Sequence, residues 1–129
     1  MPKRFVINVA GTRVVAELLE REAPVLSQCM WENLPVESFS VHAKFAGREM
    51  IVMVPFYAEA ENEILNVQPG DVAYYPGRQT ICIFYGDTQP FGHVSVFARI
   101  VERLDDLKAT GDRLIRAGIL PANLERIEA

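Results

Sequence analysis

The amino-acid sequence predicts a mainly β fold, a closed antiparallel β-barrel capped by two α-helices. Three observations carry this reading. Phe39/Val41/Ala43, Val52/Val54, Val72/Tyr74, Ile81/Ile83 and Val94/Val96/Ala98 recur at period two, so each of five segments has one face to give to a common core. Turn residues close these segments at short intervals, as in Ala46-Gly47-Arg48, Pro76-Gly77 and Gly86-Asp87. Two stretches, 24–34 and 102–117, instead space their apolar residues for a helix, with Leu26/Met30 and Leu104/Leu107 aimed at the barrel ends. A closed barrel buries all five faces and leaves no long unpaired edge.

Taken in order, Phe5, Ile7 and Val9 alternate with Val6, Asn8 and Ala10, and Gly11-Thr12 turns the chain into residues 13–18, a hairpin signal. Pro24 suits the first turn of a helix, where its missing N–H costs nothing, and Pro35 ends that helix. In 37–45, Phe39, Val41, Ala43 and Phe45 share one face and Ser38, Ser40, His42 and Lys44 the other. That pattern reads as a half-buried strand with its apolar face inward. Ala46-Gly47-Arg48 leads into 49–54, which is apolar on both faces. Residues 55–69 form the longest irregular segment, with Glu59, Glu61 and Glu63 on a solvated face; loops of this length are commonly functional or mobile. Residues 71–75, 80–85 and 93–101 complete the strands. Leu104, Leu107, Leu114 and Ile115 mark the second helix, with a break expected at Gly111. The tail 120–129 fits a helix or a closing strand equally well.

The 129 residues fit one domain spanning 1–129. A formal net charge of −4 and scattered Lys and Arg exclude a nucleic-acid or anionic membrane surface, which needs concentrated positive charge. No apolar run is long enough to span a bilayer. Met1-Pro2-Lys3-Arg4-Phe5 leads straight into a strand rather than a signal-peptide core, so the expected location is the cytoplasm. Cys29 and Cys82 have apolar neighbours and read as buried structural thiols. There is no C-x-x-C, no His/Cys cluster at zinc spacing, no calcium loop and no phosphate-cradling glycine motif, so neither a metal nor a cofactor is expected.

Strand, turn, strand, loop, strand, helix in this order resembles the cyclophilins. His93-Val94-Ser95-Val96-Phe97-Ala98-Arg99-Ile100-Val101 and the amphipathic run after it are similar to that family's His-Val-Val-Phe-Gly-Lys-Val and following helix. Val14-Val15-Ala16-Glu17-Leu18-Leu19 before a Pro-initiated helix resembles its opening. The resemblance covers most of residues 5–110. It is stronger to the small cyclophilin-like proteins of unknown function found in bacteria. Their Gly-Asp-(Val/Ile)-x-Tyr-(Tyr/Trp)-Pro-Gly reads here Gly70-Asp71-Val72-Ala73-Tyr74-Tyr75-Pro76-Gly77, and a later Phe/Tyr-Gly-x-Thr reads Tyr85-Gly86-Asp87-Thr88. The resemblance implies a cyclophilin-like barrel with a ligand cleft on its wall. Cyclophilins catalyse prolyl isomerisation with an Arg beside the substrate amide, which stabilises the twisted bond electrostatically. Alignment puts Val52 at that Arg, Tyr57 at a pocket Phe and Ala60 at a Gln, while Thr80 and Cys82 replace two further pocket residues. Only His93 is retained, so the chain does not read as a standard isomerase.

Candidate site residues follow from that rewritten pocket. His42 and Glu49 are the catalytic candidates: across a tight Gly47 hairpin a carboxylate would orient a histidine that titrates near neutral pH. The plainer reading of His42 is a solvated or barrel-lining residue. Tyr57, Tyr75, Cys82, Tyr85, His93 and Arg48 are the candidate ligand-binding residues, aromatics with polar tips being common in clefts. The expected partner is a small amide, imide or carboxylate, bound or transformed. A weak isomerase or proline-peptide binder is the first alternative. A non-catalytic homo-oligomeric subunit is the second, suggested by Phe91, Ile119, Leu120 and Ile127.

Overall fold

The computed structural model describes residues 2–128, and within them nine strands and two α-helices. In chain order these are β1 (Arg4–Val9), β2 (Thr12–Leu18), α1 (Pro24–Asn33), β3 (Val36–His42), β4 (Gly47–Met53), β5 (Glu63–Ile64), β6 (Asp71–Tyr75), β7 (Thr80–Thr88), β8 (Val94–Glu102), α2 (Leu107–Ala117) and β9 (Leu120–Ile127). Eight strands run β1–β9–β3–β4–β7–β6–β8–β2 and close on β1, every pairing antiparallel. The two-residue β5 lies outside the ring, paired with β8.

Local chemistry sets the connections. Ala10 and Gly11, with φ of 50° and 94°, form a two-residue turn whose twist matches its strands. Asn8 Oδ1 accepts from the Gly11 amide at 2.9 Å. Pro24 opens α1, but Ala23 before it has no side chain to cap the helix. Glu61 does this from the long loop, accepting from Leu26 N at 2.8 Å and Val25 N at 3.3 Å. Glu61 is therefore a helix cap rather than part of a solvated face. The rest of the loop is also tied down. Tyr74 Oη donates to the Phe56 carbonyl at 2.8 Å and lies 3.2 Å from Ala58 N, Asn62 Nδ2 donates to Val96 O, and Glu61 N donates to Ser95 Oγ.

Several sequence expectations are corrected. The tail forms β9, which fills the gap between β1 and β3. The second helix begins at Leu107, because β8 runs on to Glu102 and a 3₁₀ turn, Leu104–Asp106, intervenes. Gly111 does not break it; the helix passes closely over Tyr85 there, and a Cβ would overlap the tyrosine hydroxyl. The faces of β3 are reversed. Ser40 pairs with Val52 and His42 with Met50, both of which are fully buried, so the serines and histidine point inward. Phe39 and Val41 point outward, 59% and 40% exposed. Val94 and Val96 also leave the main core: an irregularity opposite Val72/Ala73 shifts the phase of β8, placing Phe97 in the barrel and the two valines with Ala73, Cys82 and Phe84.

Candidate functional site

Strand register builds a cleft on the outer wall of β4 and β7. Glu49 pairs with Phe84, Ile51 with Cys82 and Met53 with Thr80, while Tyr75 of β6 pairs with Thr80 from the other side. These residues share the outward face because cross-strand partners point the same way. Glu49, Ile51, Thr80 and Cys82 form the floor of a cleft of about 100 Å³. Phe45 and Ala46 from the β3–β4 turn, Tyr75 and Arg78 from the β6–β7 turn, and residues 90–92 with Val94 complete it.

The β3–β4 turn is locked to the end of β7 and the loop that follows it. Gly47 has φ +129°, and a Cβ there would sit 2.5 Å from the Asp87 carbonyl oxygen, so only glycine lets the strands approach this closely. Gln89 N donates to Ala46 O at 2.8 Å. Phe45 and Phe91 are thereby brought ring to ring, with centroids 5.1 Å apart.

The floor is chemically unusual. Glu49 is buried, 7% exposed, and among the described residues no cation pairs with its carboxyl. Burial pushes it above its ordinary value near 4.5, with a hydrogen bond to Cys82 pulling partly back. Burial first, and then the neighbouring Glu49 charge, push the Cys82 thiol far up. Cys82 is a protonated donor here, not a nucleophile. The Thr80 hydroxyl leans towards that sulfur but is buried without a hydrogen bond of ordinary geometry. A buried carboxyl without a cation and a buried hydroxyl without a partner border the same small space.

His42 lies elsewhere. Its register partner is Met50, so its side chain enters the barrel while Glu49 faces the opposite side of the same wall. The expected His42–Glu49 contact does not form; one residue of register separates them. His42 Nε2 instead shares a 2.7 Å hydrogen bond with Tyr85 Oη, and its buried Nδ1 has no partner. Arg48 also bonds the Tyr85 hydroxyl and pairs with Asp112 of α2 at 3.5 Å. Burial, reinforced by Arg48, lowers His42 below 6.5, and burial raises Tyr85.

The sequence-derived candidates thus divide. Glu49, Tyr75 and Cys82 meet in the cleft; His42, Tyr85 and Arg48 meet under α2. Tyr57 is 57% exposed and outside the cleft lining, and exposed His93 stands between the lining residues Gly92 and Val94 without being one. Arg78, Phe45 and Phe91 were not foreseen as site residues. Alternation on β7, which puts Thr80 on the same face as Cys82, was the available signal for Thr80. Among the described residues, no three His, Cys, Asp or Glu side chains are arranged to hold a metal ion. No helix among them is long and apolar enough to cross a membrane.

Residues 5–126 match a family profile described as "Protein of unknown function (DUF3830)". The chain belongs to the DUF3830 family. Among solved structures, this DUF3830 chain is similar to McbB in complex with tryptophan, with a TM-score of 0.87 and 21% identity over 97% of the chain and 45% of McbB. It therefore spans less than half of McbB, and at that identity the likeness shows the fold alone. It is also similar to the hypothetical protein AF2241 from Archaeoglobus fulgidus, solved in solution, with a TM-score of 0.76 and 28% identity over 98% and 95% of the two chains. No curated protein matches it.

Proposed function

We propose that this chain binds a small carbonyl-bearing ligand, an amide, imide or carboxylic acid, in the cleft on the β4–β7 wall. The observation that supports this is the pairing of Glu49, buried without a cation, with the unpartnered Thr80 hydroxyl. Buried polar groups without partners are rare in native proteins, and a ligand can supply what is missing. Burial raises the Glu49 carboxyl above its ordinary value, and in its protonated form it donates its O–H to a carbonyl oxygen, which a carboxylate cannot do. Thr80 adds a second polar contact, Arg78 at the edge suits a carboxylate, and Phe45, Phe91 and Tyr75 cover flat apolar surface. About 100 Å³ is well below the 300–1,000 Å³ of drug-sized pockets, so the ligand is a short acid or a single small ring. McbB, on the same fold, was solved with an amino acid, which gives amino acids a place among the candidates.

Prolyl isomerisation has less support within a cyclophilin-like reading. Val52, the position aligned with the catalytic arginine, is fully buried in the barrel core, and Tyr57 and Ala60 lie outside the cleft lining.

A thermal-shift panel of amino acids, hydantoin-like imides and short carboxylates tests the proposal. A ligand at 100 times its Kd adds about 2.7 kcal/mol of stability. Binding should weaken as pH rises through the Glu49 titration, persist in Glu49→Gln without that pH dependence, and vanish in Glu49→Leu. A flat panel at millimolar ligand, or equal binding by Glu49→Leu, overturns it.

A further inference from the structure

The barrel covers one of its walls and leaves another bare. Ile64 and Val67 of the long loop, with Leu19, pack onto the outer cluster of Ala73, Cys82, Phe84, Val94 and Val96. Among the described residues, none does this for β3 and β4. There the inverted strand puts Phe39 and Val41 outward, Val41 pairs with Ile51, and Met53 stands beside them at 56% exposed. The same surface continues past Ile51 to Phe45 and Phe91, which are 64% and 84% exposed.

We infer that this outer face of β3 and β4 is a homodimer interface, occupied by the same face of a second copy of this chain. The area fits. At 150–250 Å² for a fully exposed aromatic side chain, Phe39, Phe45 and Phe91 alone leave on the order of 400 Å² open. Val41, Ile51 and Met53 carry the face towards the roughly 800 Å² per partner of a standard interface. Monomeric proteins rarely expose a contiguous apolar patch beyond a few hundred Å². The geometry fits too. Both edges of β3 and of β4 are already hydrogen-bonded into the closed ring, so neither strand is free for strand addition, and association there has to be face to face.

Charge supports a copy rather than an unlike partner. The chain carries a net −4, yet the stripe from Phe39 to Ile51 holds no ionisable side chain. Glu37 bounds β3 at one end, and Lys44 follows its other end. A two-fold axis lying in the interface and perpendicular to β3 lays Phe39 and Val41 of one copy over the same stripe of the second, an isologous and self-complementary contact. Ile51, Phe45 and Phe91 also border the cleft, so the second copy covers one rim of it, and association is measured without ligand.

Sedimentation equilibrium of the full chain between about 1 and 200 µM, without ligand, tests this. The parent should weigh as a dimer at the upper concentrations. Val41→Lys, a change at a side chain already 40% exposed, should weaken association at least 100-fold while leaving the melting curve cooperative. Ile115→Lys, at an exposed site on α2, should change nothing. Phe39→Lys, at a side chain already 59% exposed, should weaken it as strongly as Val41→Lys. A monomer throughout the range, an undisturbed dimer in Val41→Lys or Phe39→Lys, or an equal loss in Ile115→Lys overturns the proposal.

Discussion

The Tyr74 hydroxyl reaches out of β6 to the Phe56 carbonyl at 2.8 Å, and the two rings stack with centroids 5.4 Å apart. One side chain thus anchors the start of the longest irregular segment, and the same oxygen faces the Ala58 amide. Tyr74→Phe keeps the stacking but leaves a buried carbonyl and amide without their partner, which costs about 1–3 kcal/mol. The urea midpoint should fall accordingly, and protease cleavage within 55–62 should appear before global unfolding. Unchanged cleavage would show that the loop is held by other contacts.

Glu61 is the second anchor, and it acts at a distance by capping α1. Glu61→Ala should cost about 1 kcal/mol, the usual worth of an N-cap. Glu59→Ala, on the same exposed stretch of loop, should be neutral. Comparing the two thermal midpoints checks that capping, not loss of a negative charge, is responsible.

Gly111→Ala raises helix propensity by about 1 kcal/mol in an open helix. Here the added methyl meets the Tyr85 ring and hydroxyl, and overpacking of this kind costs about 1–3 kcal/mol. The variant should therefore be less stable than the parent. It should also displace Tyr85 from His42, moving the His42 titration seen by NMR.

The two perturbed groups on opposite faces of β3 and β4 bend the pH–stability curve in opposite senses. Folded protein holds the Glu49 proton more tightly than the unfolded chain does. Its contribution is thus intact below about 4.5 and lost as pH rises through the folded value. Folded protein holds the His42 proton more weakly, so that contribution is intact above 6.5 and lost as pH falls through the folded value. Urea midpoints from pH 4 to 8 should show Glu49→Gln free of the decline on the alkaline side. The same decline in Glu49→Gln would mean that another group causes it.

Much of this architecture was legible because strands announce themselves by period two, and the segments around Tyr74, Ile83 and Val52 do so plainly. Periodicity says which residues share a face, not which face turns inward. On β3 the apolar set lost that choice to the pairing of Ser40 and His42 with the buried Val52 and Met50. Val94 and Val96 were misplaced by a phase shift within β8 that no propensity signals. In the cleft, Glu49, Tyr75 and Cys82, singled out by their chemistry, come together. Their neighbours Arg78 and Phe91 were missed because they arrive from turns brought together only by non-local pairing. The His42–Glu49 pair looked plausible for a different reason: nearness across a hairpin is visible in sequence, but the side of the wall is not.

The place of β9 between β1 and β3 has a consequence for how the chain is made. Each of those strands has one edge that only residues 120–127 can cover. During synthesis, therefore, the ring stays open with two sticky edges until almost the whole described chain has emerged. The contacts that seal it span eighty residues or more, so closure is slow relative to the formation of the local hairpins. A ribosome stalled before Leu120 would release an incomplete cylinder ready to accept a foreign strand. Supplied separately, a peptide of residues 119–128 would be the natural plug for that gap.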